Sequence, residues 1–206
     1  MKVKLIHITP KAEAHIGYCA RVSSPKQDNP EVSKLITYLI KHKHWSPLEM
    51  ASMCVEIHTT RAIAPQILRH RSFSFQEFSQ RYAAVNEFEF YEARRQDIKN
   101  KQNSIDDMPK DDKEWFLKAQ DLVSDHNLMF YNLALQKGIA KELCRSLLPL
   151  NTVTKLYMHG TIRSFLHYCE VRCDISTQKE HRDIANAIKA IIVQELPLIS
   201  KAMGWL

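Results

Sequence analysis

A cluster of basic side chains lies between Gln66 and Tyr82, in the middle of the chain. Gln66 and Arg69 are three residues apart, so they share a face if this segment is helical. Arg69, His70 and Arg71 then follow one another directly. Because adjacent cations repel each other, and because guanidinium groups match phosphate oxygens in bidentate geometry, the cluster favours an anion site. A basic helix end, stabilised by the helix dipole, explains the same residues equally well.

Glu77, Ser79 and Arg81 alternate immediately downstream. In an extended backbone, alternate side chains project to the same side. A carboxylate, a hydroxyl and a guanidinium on one side can hold a polar ligand that has both donors and acceptors. Ser79 is interpreted as a positioning hydroxyl, because no Gly-x-Ser-x-Gly nucleophile elbow surrounds it. A solvated edge with a weak surface ion pair is the alternative.

Aromatic residues interleave with these arginines, as they do in proteins that stack nucleic-acid bases along a basic groove. They are Phe73, Phe75, Phe78 and Tyr82. We expect no nucleic-acid partner, because the net charge is only +6 and Glu77 lies inside the patch. A simpler interpretation than base stacking is that the phenylalanine side chains pack in the core or between subunits.

A metal site is a second alternative, because His167, Cys169 and Cys173 are close in sequence. No Cys-x-x-Cys pair and no His-Glu-x-x-His motif is present, so we expect no metal. Cys169 and Cys173 are one turn apart on a helix, which predicts a buried apolar pair.

The composition is typical of a folded protein with a substantial core, since 45% of its 206 residues are apolar. The mildly basic net charge of +6 suits a phosphorylated small molecule as a partner. No apolar run approaches the roughly 18 residues of a membrane helix, and no signal peptide is recognisable, so we expect no membrane partner. Five widely spaced cysteines predict free thiols in a reducing compartment. We therefore expect a cytoplasmic protein, in the host cytoplasm if the source is viral.

Hydrophobic periodicity predicts the elements that must position these side chains. The first half is predicted to contain strands over 3–8 and 51–60, helices over 11–21, 30–40 and 63–71, a loop over 72–80 and an extended segment over 85–90. Asn29 is the expected cap of the second helix, with Pro30 at its first position. Ser46 and Glu49 have the spacing of a capping box.

The second half begins with a polar connection over about 92–113. It is followed by predicted helices over 115–136, 139–148, 161–172 and 178–203, and by one strand over 153–158. Gly138 is expected to cap a helix in the left-handed conformation, and Pro197 to bend the last helix. The resulting fold class is α+β, with a small mixed or antiparallel sheet packed against several long helices in one domain over 1–206.

The segment that begins at Arg69 resembles the signature of the flavin-dependent thymidylate synthases. The family pattern Arg-His-Arg-x-x-Ser-x-Asn-Glu-x-Ser-x-Arg-Tyr is matched at every fixed position except one, where Gln76 replaces Asn. Further resemblances are spread over most of the chain, in residues 19–23, 44–49, 145–151, 163–165, 172–174 and 178–180. The polar connection over 91–113 matches weakly.

The resemblance implies the fold of that family and the conversion of deoxyuridine monophosphate (dUMP) to thymidylate (dTMP) in de novo synthesis. In this reaction methylenetetrahydrofolate supplies the carbon, FAD relays hydride and NADPH reduces the flavin. Because reduced flavin supplies the hydride, no cysteine nucleophile is required, and no cysteine here lies in an evident activating motif. The resemblance also implies a homotetramer whose active sites are shared between subunits.

The resemblance assigns two overlapping sets of site residues. The residues implied to bind the nucleotide are Gln66, Ile67, Leu68, Arg69, Glu77, Phe78, Ser79, Gln80, Arg81, Arg145 and Arg172. The residues implied to bind FAD are Ser46, Arg69, His70, Arg71, Glu77, Thr161, Ile162, Arg163, His167 and His44.

Arg172 is the implied catalytic residue. It matches an arginine that binds the uracil ring, and a permanent cation stabilises negative charge that develops on the ring. A salt bridge at the helix end, to Asp174 or Glu170, is the alternative.

A few residues depart from the family pattern near the implied flavin site. Thr161 and His167 replace residues that are often Asn, and Ser176 replaces a residue that is His in some relatives. Both Thr161 and His167 can still form hydrogen bonds, although a histidine differs in reach and can become charged. His44 matches a histidine near the flavin, and a partly exposed histidine at a helix end is the alternative.

Overall fold

The structure is a computed structural model that describes all residues from Met1 to Leu206. Its strands are β1 (Lys2–Ile8), β2 (Ser52–Thr60), β3 (Ser74–Glu77), β4 (Arg95–Gln96), β5 (Ser104–Ile105) and β6 (Val153–Thr161). Its α-helices are α1 (Ala12–Ala20), α2 (Ser33–Lys41), α3 (Ala64–Leu68), α4 (Lys110–Gln136), α5 (Lys141–Cys144), α6 (Ile162–Arg172), α7 (Lys179–Glu195) and α8 (Pro197–Ala202). Two 3-10 helices cover Ser46–Met50 and Arg145–Leu147. The predicted α+β class is confirmed.

Four strands form one antiparallel sheet in the order β1, β2, β6, β3, and β4 pairs separately with β5. The predicted small sheet is therefore antiparallel throughout. Met53, Val55 and Ile57 alternate along β2 and are fully buried, while the residues between them are partly exposed. This alternation is the period of a strand with one face on the core.

The helices α6 and α7 pack on the buried face of the sheet. Phe165 and Tyr168 from α6, and Ile184 and Ile188 from α7, are fully buried in the same core as Met53. Each such side chain contributes roughly 1.5–3 kcal/mol through burial, so this contact holds the two helices on the sheet.

The strand β6 leads directly into α6. Thr161 ends the strand and also caps the helix, since its side-chain oxygen accepts a hydrogen bond from the Ser164 backbone N–H at 3.2 Å. Arg172 is the last residue of α6, where a cation interacts favourably with the helix dipole. The packing of α6 therefore decides where Arg172 lies.

The helix α4 is 27 residues long, yet only Ser124, Tyr131 and Ala134 are buried along it. Tyr131 and Ala134 form a second, small core with Cys144. None of the helices, α4 included, combines the length and the apolar character needed to cross a membrane.

Most predicted elements are confirmed. The elements β1, α1, β2, β6 and α6 occupy the predicted ranges, and β6 continues to Thr161. Gly138 follows α4 with a φ of 78°, the left-handed conformation expected of it. The predicted bend at Pro197 is a break between α7 and α8.

The predicted start of α2 was wrong, because the helix begins at Ser33 and not at Pro30. The Asn29 side chain accepts a hydrogen bond from the Glu31 backbone N–H at 2.9 Å, and the Glu31 carboxylate accepts one from Ser33 at 3.0 Å. Arg21 donates to the backbone carbonyl oxygens of Asn29 and Glu31. These contacts hold the segment in turns, which compete with a helix for the backbone groups.

The predicted capping box was also wrong. Ser46–Met50 is a 3-10 helix whose cap makes no side-chain hydrogen bond. Glu49 forms an ion pair with Arg163 at the start of α6 instead. Arg163, which is distant in sequence, thus binds the Glu49 carboxylate that the capping box would have used.

The segment predicted as a helix over 63–71 and a loop over 72–80 is divided differently. The helix α3 ends at Leu68, and β3 pairs with β6 at the edge of the sheet. Phe73 is buried and packs edge-on against Phe165, with ring centroids 4.8 Å apart. This buried ring holds the segment on the sheet. The sequence pattern did not predict the strand, because the segment lacks a long apolar period.

Three further segments differ from the prediction. Of the extended segment over 85–90, only Phe88 forms a β-bridge, to Thr152. The polar connection contains the β4–β5 hairpin and the first turn of α4. The helix predicted over 139–148 consists of the short α5 and the second 3-10 helix.

Gly160 lies in β6 where the Phe73 ring crosses the strand. A Cβ at this position would lie 2.4 Å from Cδ1 and 2.8 Å from Cε1 of Phe73. We expect Gly160→Ala to lower the free energy of unfolding by about 1–3 kcal/mol, because the ring must move in a packed core. Urea denaturation measures this, with His159→Ala as an exposed control that should change stability by less than about 0.5 kcal/mol. Equal stability of Gly160→Ala and the parent would contradict the packing described here.

Candidate active site

A polar cavity of about 340 Å³ lies between α3, the end of α6 and the start of α7. None of its lining residues is hydrophobic, and they are Gln66, Arg69, Gln102, Arg172, Ser176, Thr177 and Gln178. We call it the Arg172 cavity. Two guanidinium groups, from Arg69 and Arg172, meet in it although they are far apart in sequence. Such a pair attracts an anion or a ring that can carry negative charge.

A histidine orients the Arg172 guanidinium. Nε of Arg172 donates a hydrogen bond to Nε2 of His70 at 2.8 Å. Burial, together with the nearby Arg172 and His167, lowers the pKa of His70 to about 4, so Nε2 is an acceptor at neutral pH. The alternative interpretation of Arg172, a salt bridge to Asp174 or Glu170, is wrong, because neither ion pair is formed. The Asp174 carboxylate accepts hydrogen bonds from the backbone N–H and the hydroxyl of Ser176.

A second uncharged histidine lies beneath the same cavity. His181 is fully buried, and its ring centroid is 6.2 Å from that of His70. Burial lowers the pKa of His181 to about 3, and so does repulsion by Arg172 and, once it is protonated, by His70. Its Nε2 contacts the Tyr168 hydroxyl at 3.0 Å, and burial raises the pKa of that hydroxyl. Nδ1 of His181 faces Oε1 of Gln66, which can only accept, so Nδ1 carries the hydrogen of the neutral ring, and Nε2 accepts from the tyrosine.

The alternation of Glu77, Ser79 and Arg81 does not place them on one side. The strand β3 ends at Glu77, and a turn follows in which the Ser79 carbonyl accepts from the backbone N–H groups of 82 and 83. Glu77 is bound by its own fold, because its Oε1 accepts from the Arg61 guanidinium and from the Thr154 hydroxyl at 2.9 Å. The extended backbone that the alternation would require therefore ends at Glu77.

A second basic group forms around Glu142. Arg81 approaches the Glu142 carboxylate at 3.4 Å, and Nε of Arg145 donates to the Glu142 backbone carbonyl at 3.2 Å. Ser79 and Arg81 line an open cavity of about 450 Å³ here. Within one chain, Arg69 and Arg172 thus belong to one cavity, and Arg81 and Arg145 lie at another place.

Two of the residues implied to bind the flavin line a third cavity, of about 410 Å³. Its lining includes Arg163 and His167 from α6, together with Trp45, Ser72 and Glu170. Its guanidinium, imidazole and hydroxyl can bind the pyrophosphate of FAD, and its indole ring suits a flat aromatic group. The carboxylates of Glu49 and Glu170 also line the cavity, and a pyrophosphate would have to displace Glu49 from Arg163. The donor set therefore fits the cofactor in character.

The other implied flavin residues do not line this cavity. Ser46 begins the adjoining 3-10 helix, and Thr161 spends its hydroxyl on the cap of α6. Ile162 is fully buried, and its backbone N–H donates to the Ala51 carbonyl at 2.9 Å, so neither its side chain nor this N–H is available to a ligand. Arg71 is exposed, and His44 packs edge-on against Tyr38 with ring centroids 5.6 Å apart.

The other implied nucleotide residues are also outside the Arg172 cavity. Ile67 is fully buried in the core, and Leu68 is half-buried beside it. Phe78 lines a separate groove with Val85 and Lys155. Gln80 is 6% exposed, and its Nε2 has no hydrogen-bond partner.

The interleaved aromatic residues do not form a stacking surface. Phe73 belongs to the core, and Phe75 is partly buried against it, as the simpler interpretation predicted. Tyr82 is 88% exposed and stands apart from them. One exposed ring gives no continuous platform for bases.

Two of the five cysteines, Cys169 and Cys173, pack against each other. Cys169 is buried in the core with Cys173 packed against it, as predicted for an apolar pair. A hydrogen bond between the two thiols raises the pKa of Cys169 and lowers that of Cys173. No group of three histidine, cysteine or acidic side chains in the chain is arranged to hold a metal ion.

Sequence reasoning missed several lining residues. Gln102, Thr177 and Gln178 line the Arg172 cavity, and Trp45 and Ser72 line the cavity beside Arg163. Gln178 was part of a segment that resembles the family, yet no role followed from that resemblance. Gln102 had no signal, because it lies in the polar connection, where the resemblance is weak.

The sequence pattern of the thymidylate synthase complementing protein family (Thy1) matches residues 4–198. The chain therefore belongs to this family. It is 58% identical over 193 residues to a flavin-dependent thymidylate synthase of Synechocystis sp., covering 94% of this chain and 90% of that protein. It is 50% identical to a probable flavin-dependent thymidylate synthase of Paramecium bursaria Chlorella virus 1, with both chains covered in full.

The fold is shared with a crystal structure of a UMP/dUMP methylase, PolB, from Streptomyces cacaoi, bound with 5-Br dUMP. The two folds agree with a TM-score of 0.87, covering 100% of this chain and 95% of the other. The sequences are 24% identical, so this likeness concerns the fold alone.

The two uncharged histidines predict how stability depends on pH. In the unfolded chain both return to a pKa of about 6.5, so the unfolded state binds more protons below that pH. Their contribution to stability is complete above about pH 6.5 and is lost as the pH falls toward the folded pKa values of about 4 for His70 and about 3 for His181. We expect the free energy of unfolding to decrease from about pH 7 to about pH 5.

The variant His181→Gln isolates this effect, because glutamine keeps a donor and an acceptor but does not titrate. Urea unfolding at several pH values should show a shallower decrease for His181→Gln than for the parent. Parallel curves for the two proteins would contradict the assignment of an uncharged His181.

Proposed function

We propose that this chain is a flavin-dependent thymidylate synthase that methylates dUMP to dTMP, with methylenetetrahydrofolate as carbon donor, FAD as hydride relay and NADPH as reductant. The observation that carries the proposal is the meeting of Arg69 and Arg172 in one cavity without apolar lining, in a chain of this family. The names of the Synechocystis and Chlorella virus relatives support the reaction. The 5-Br dUMP in the structure of the Streptomyces cacaoi methylase supports the nucleotide.

In this proposal the pyrimidine binds in the Arg172 cavity. Arg172 is the catalytic residue, because its permanent charge stabilises negative charge on the uracil ring in the transition state. His70 fixes the direction of that guanidinium through the 2.8 Å hydrogen bond and, being uncharged, does not repel it. Arg69 adds a second cation to the same cavity.

The flavin belongs beside Arg163 and His167. When bound, FAD supplies the hydride that reduces the transferred one-carbon group. The ion pair of Arg163 with Glu49 joins the start of α6 to the first 3-10 helix and so holds two walls of the cavity together. The other residues that the resemblance implies for FAD stay part of the proposal. They are Ser46, Arg69, His70, Arg71, Glu77, Thr161, Ile162 and His44.

The assembly is proposed to be a homotetramer with shared active sites. A stripe of apolar residues along α4 is exposed in one chain, with Leu122 at 59%, Met129 at 53%, Phe130 at 52% and Leu133 at 44%. Contiguous apolar surface of this kind marks an interaction site. In the tetramer, Arg81 and Arg145 of one chain would complete the Arg172 cavity of another. We propose that 1–206 acts as one domain in each subunit and that the enzyme is cytoplasmic.

The reaction is tested by anaerobic incubation of the yellow, FAD-loaded protein with dUMP, methylenetetrahydrofolate and NADPH, followed by chromatography of the nucleotides. We expect dTMP only when all components are present. Binding of DNA in a salt-dependent manner by a colourless protein that makes no dTMP would overturn the proposal.

Arg172→Ala should remain folded and lose dTMP formation by at least about 10²-fold, because a cation that faces the developing charge is removed. Thermal unfolding and the flavin spectrum report folding and cofactor binding. Arg95→Ala is the control, because Arg95 forms an exposed ion pair with Asp107 away from the cavity. Normal turnover by Arg172→Ala would remove the catalytic assignment.

Phe130→Glu tests the assembly. We expect the parent to sediment as four chains and Phe130→Glu to sediment as smaller, folded species without activity, because a charge is placed in an apolar interface. Asn132→Glu, on the exposed polar side of α4, should leave the tetramer intact. A fully active monomer of the parent at the assay concentration would contradict a shared active site.

A further inference from the structure

A buried ion pair joins the polar connection to the start of α7. Nη2 of Arg94 lies 2.5 Å from Oε1 of Glu180, and their side chains are only 10% and 9% exposed. Nε of the same guanidinium donates to the Ser104 hydroxyl of β5 at 2.9 Å. Arg94 therefore ties the β4–β5 hairpin to the helix that follows the Arg172 cavity. No role in the site was assigned to either member of the pair.

A chain of hydrogen bonds leads from this ion pair to the cavity. Oε2 of Glu180 accepts from Nε2 of Gln178 at 2.9 Å, and Oε1 of Gln178 accepts from Nε2 of Gln66 at 2.7 Å. Oε1 of Gln66 then faces Nδ1 of His181 at 3.3 Å. The chain ends at Tyr168, whose hydroxyl contacts Nε2 of the same histidine.

The direction of every bond follows from the carboxylate at one end. An ionised carboxylate only accepts, so Gln178 must turn its NH₂ toward Glu180 and its carbonyl toward Gln66. Gln66 must then donate to Gln178 and accept from His181. The uncharged His181 ring has one donor and one acceptor nitrogen, and it uses Nδ1–H for Gln66 and Nε2 for Tyr168.

The consequence appears at the cavity wall. Gln66 and Gln178 both line the Arg172 cavity, and each uses only one of its two amide hydrogens in the chain. Each glutamine therefore has an N–H left for a ligand, while its carbonyl oxygen is engaged. With Arg69 and Arg172 alongside, the part of the wall formed by these four side chains presents donors. Such a wall matches a ring whose edge carries carbonyl acceptors, as in uracil, and disfavours the exocyclic amino group of cytosine.

We infer that Arg94 is a positioning residue that selects uracil over cytosine: it holds the Glu180 carboxylate, which directs the N–H groups of Gln178 and Gln66 at the pyrimidine. The inference rests on the proposed function, because it concerns the same cavity and the same nucleotide. It adds a specificity role for a residue of the polar connection, the part of the chain that least resembles the family.

Two single variants test the inference in the FAD-loaded protein. Arg94→Met removes the cation that holds Glu180, and Glu180→Gln supplies an amide that can donate and so lets the chain reverse. The dissociation constants of dUMP and dCMP are measured by calorimetry. We expect the dUMP constant to rise about tenfold in both variants, and the dCMP constant to change by less than about threefold. The preference for dUMP over dCMP should therefore fall.

Arg95→Met is the matched control, because it removes the neighbouring arginine, whose ion pair with Asp107 is exposed. It should keep the preference of the parent. Arg94→Met/Glu180→Met guards against misfolding, since it removes both buried charges together, and it should show the same reduced preference.

The outcomes separate the inference from the proposed function. An unchanged ratio of the two constants in Glu180→Gln, even with weaker binding of both nucleotides, would overturn the positioning role and leave the function intact. Failure of the parent to bind dUMP would instead overturn the proposed function. A reduced preference in the variants, with a normal ratio in Arg95→Met, supports the inference.

Discussion

Two imidazoles that remain uncharged beside a guanidinium are the constraint on which the Arg172 cavity depends. His70 can accept the hydrogen bond from Arg172 only without a proton on Nε2, and a charged ring would repel the guanidinium. Burial keeps both His70 and His181 in the neutral form. Part of this burial comes from Tyr168, whose ring centroid is 4.9 Å from that of His70 and 5.8 Å from that of His181. The apolar core therefore sets the protonation state on which the polar cavity relies.

The fold brings these groups together through short connections. The strand β6 passes into α6 at Thr161 without a loop, so the sheet fixes the helix that carries Tyr168 and Arg172. A short turn then leads to α7, which carries Glu180 and His181. The helix α3, after β2, carries Gln66 to the same place. Apart from Gln102, each residue that lines the cavity is thus within a few residues of an element packed on the core, and such placement restricts side-chain motion.

The sequence was informative wherever periodicity or a dense motif coincided with a rigid element. The alternation of Met53, Val55 and Ile57 predicted β2, and the spacing of apolar residues predicted α6. The prediction failed where a distant partner decided the local structure. Phe73 draws its segment onto the sheet by packing on Phe165, and Arg163 takes the Glu49 carboxylate from the expected capping box.

The site was predictable to a similar degree. Arg69 and Arg172 could be singled out by their type and by resemblance, but their meeting is a property of the tertiary fold. The hydrogen-bond chain from Glu180 to Tyr168 had no sequence signal, because its members lie on three separate elements. Local spacing carries no information about contacts between residues more than a hundred positions apart.

The two acidic residues near the basic groups differ in how readily a ligand can replace them. Glu77 is enclosed by Arg61 and the Thr154 hydroxyl, and its side chain is 19% exposed. Glu142 pairs with Arg81 at 3.4 Å, and the two side chains are 53% and 66% exposed. An exposed pair of this kind contributes at most about 1 kcal/mol, so a phosphate can take the guanidinium of Arg81 at little cost. Glu77 is thus fixed within the fold, whereas the Arg81 guanidinium can turn away from Glu142 toward a ligand.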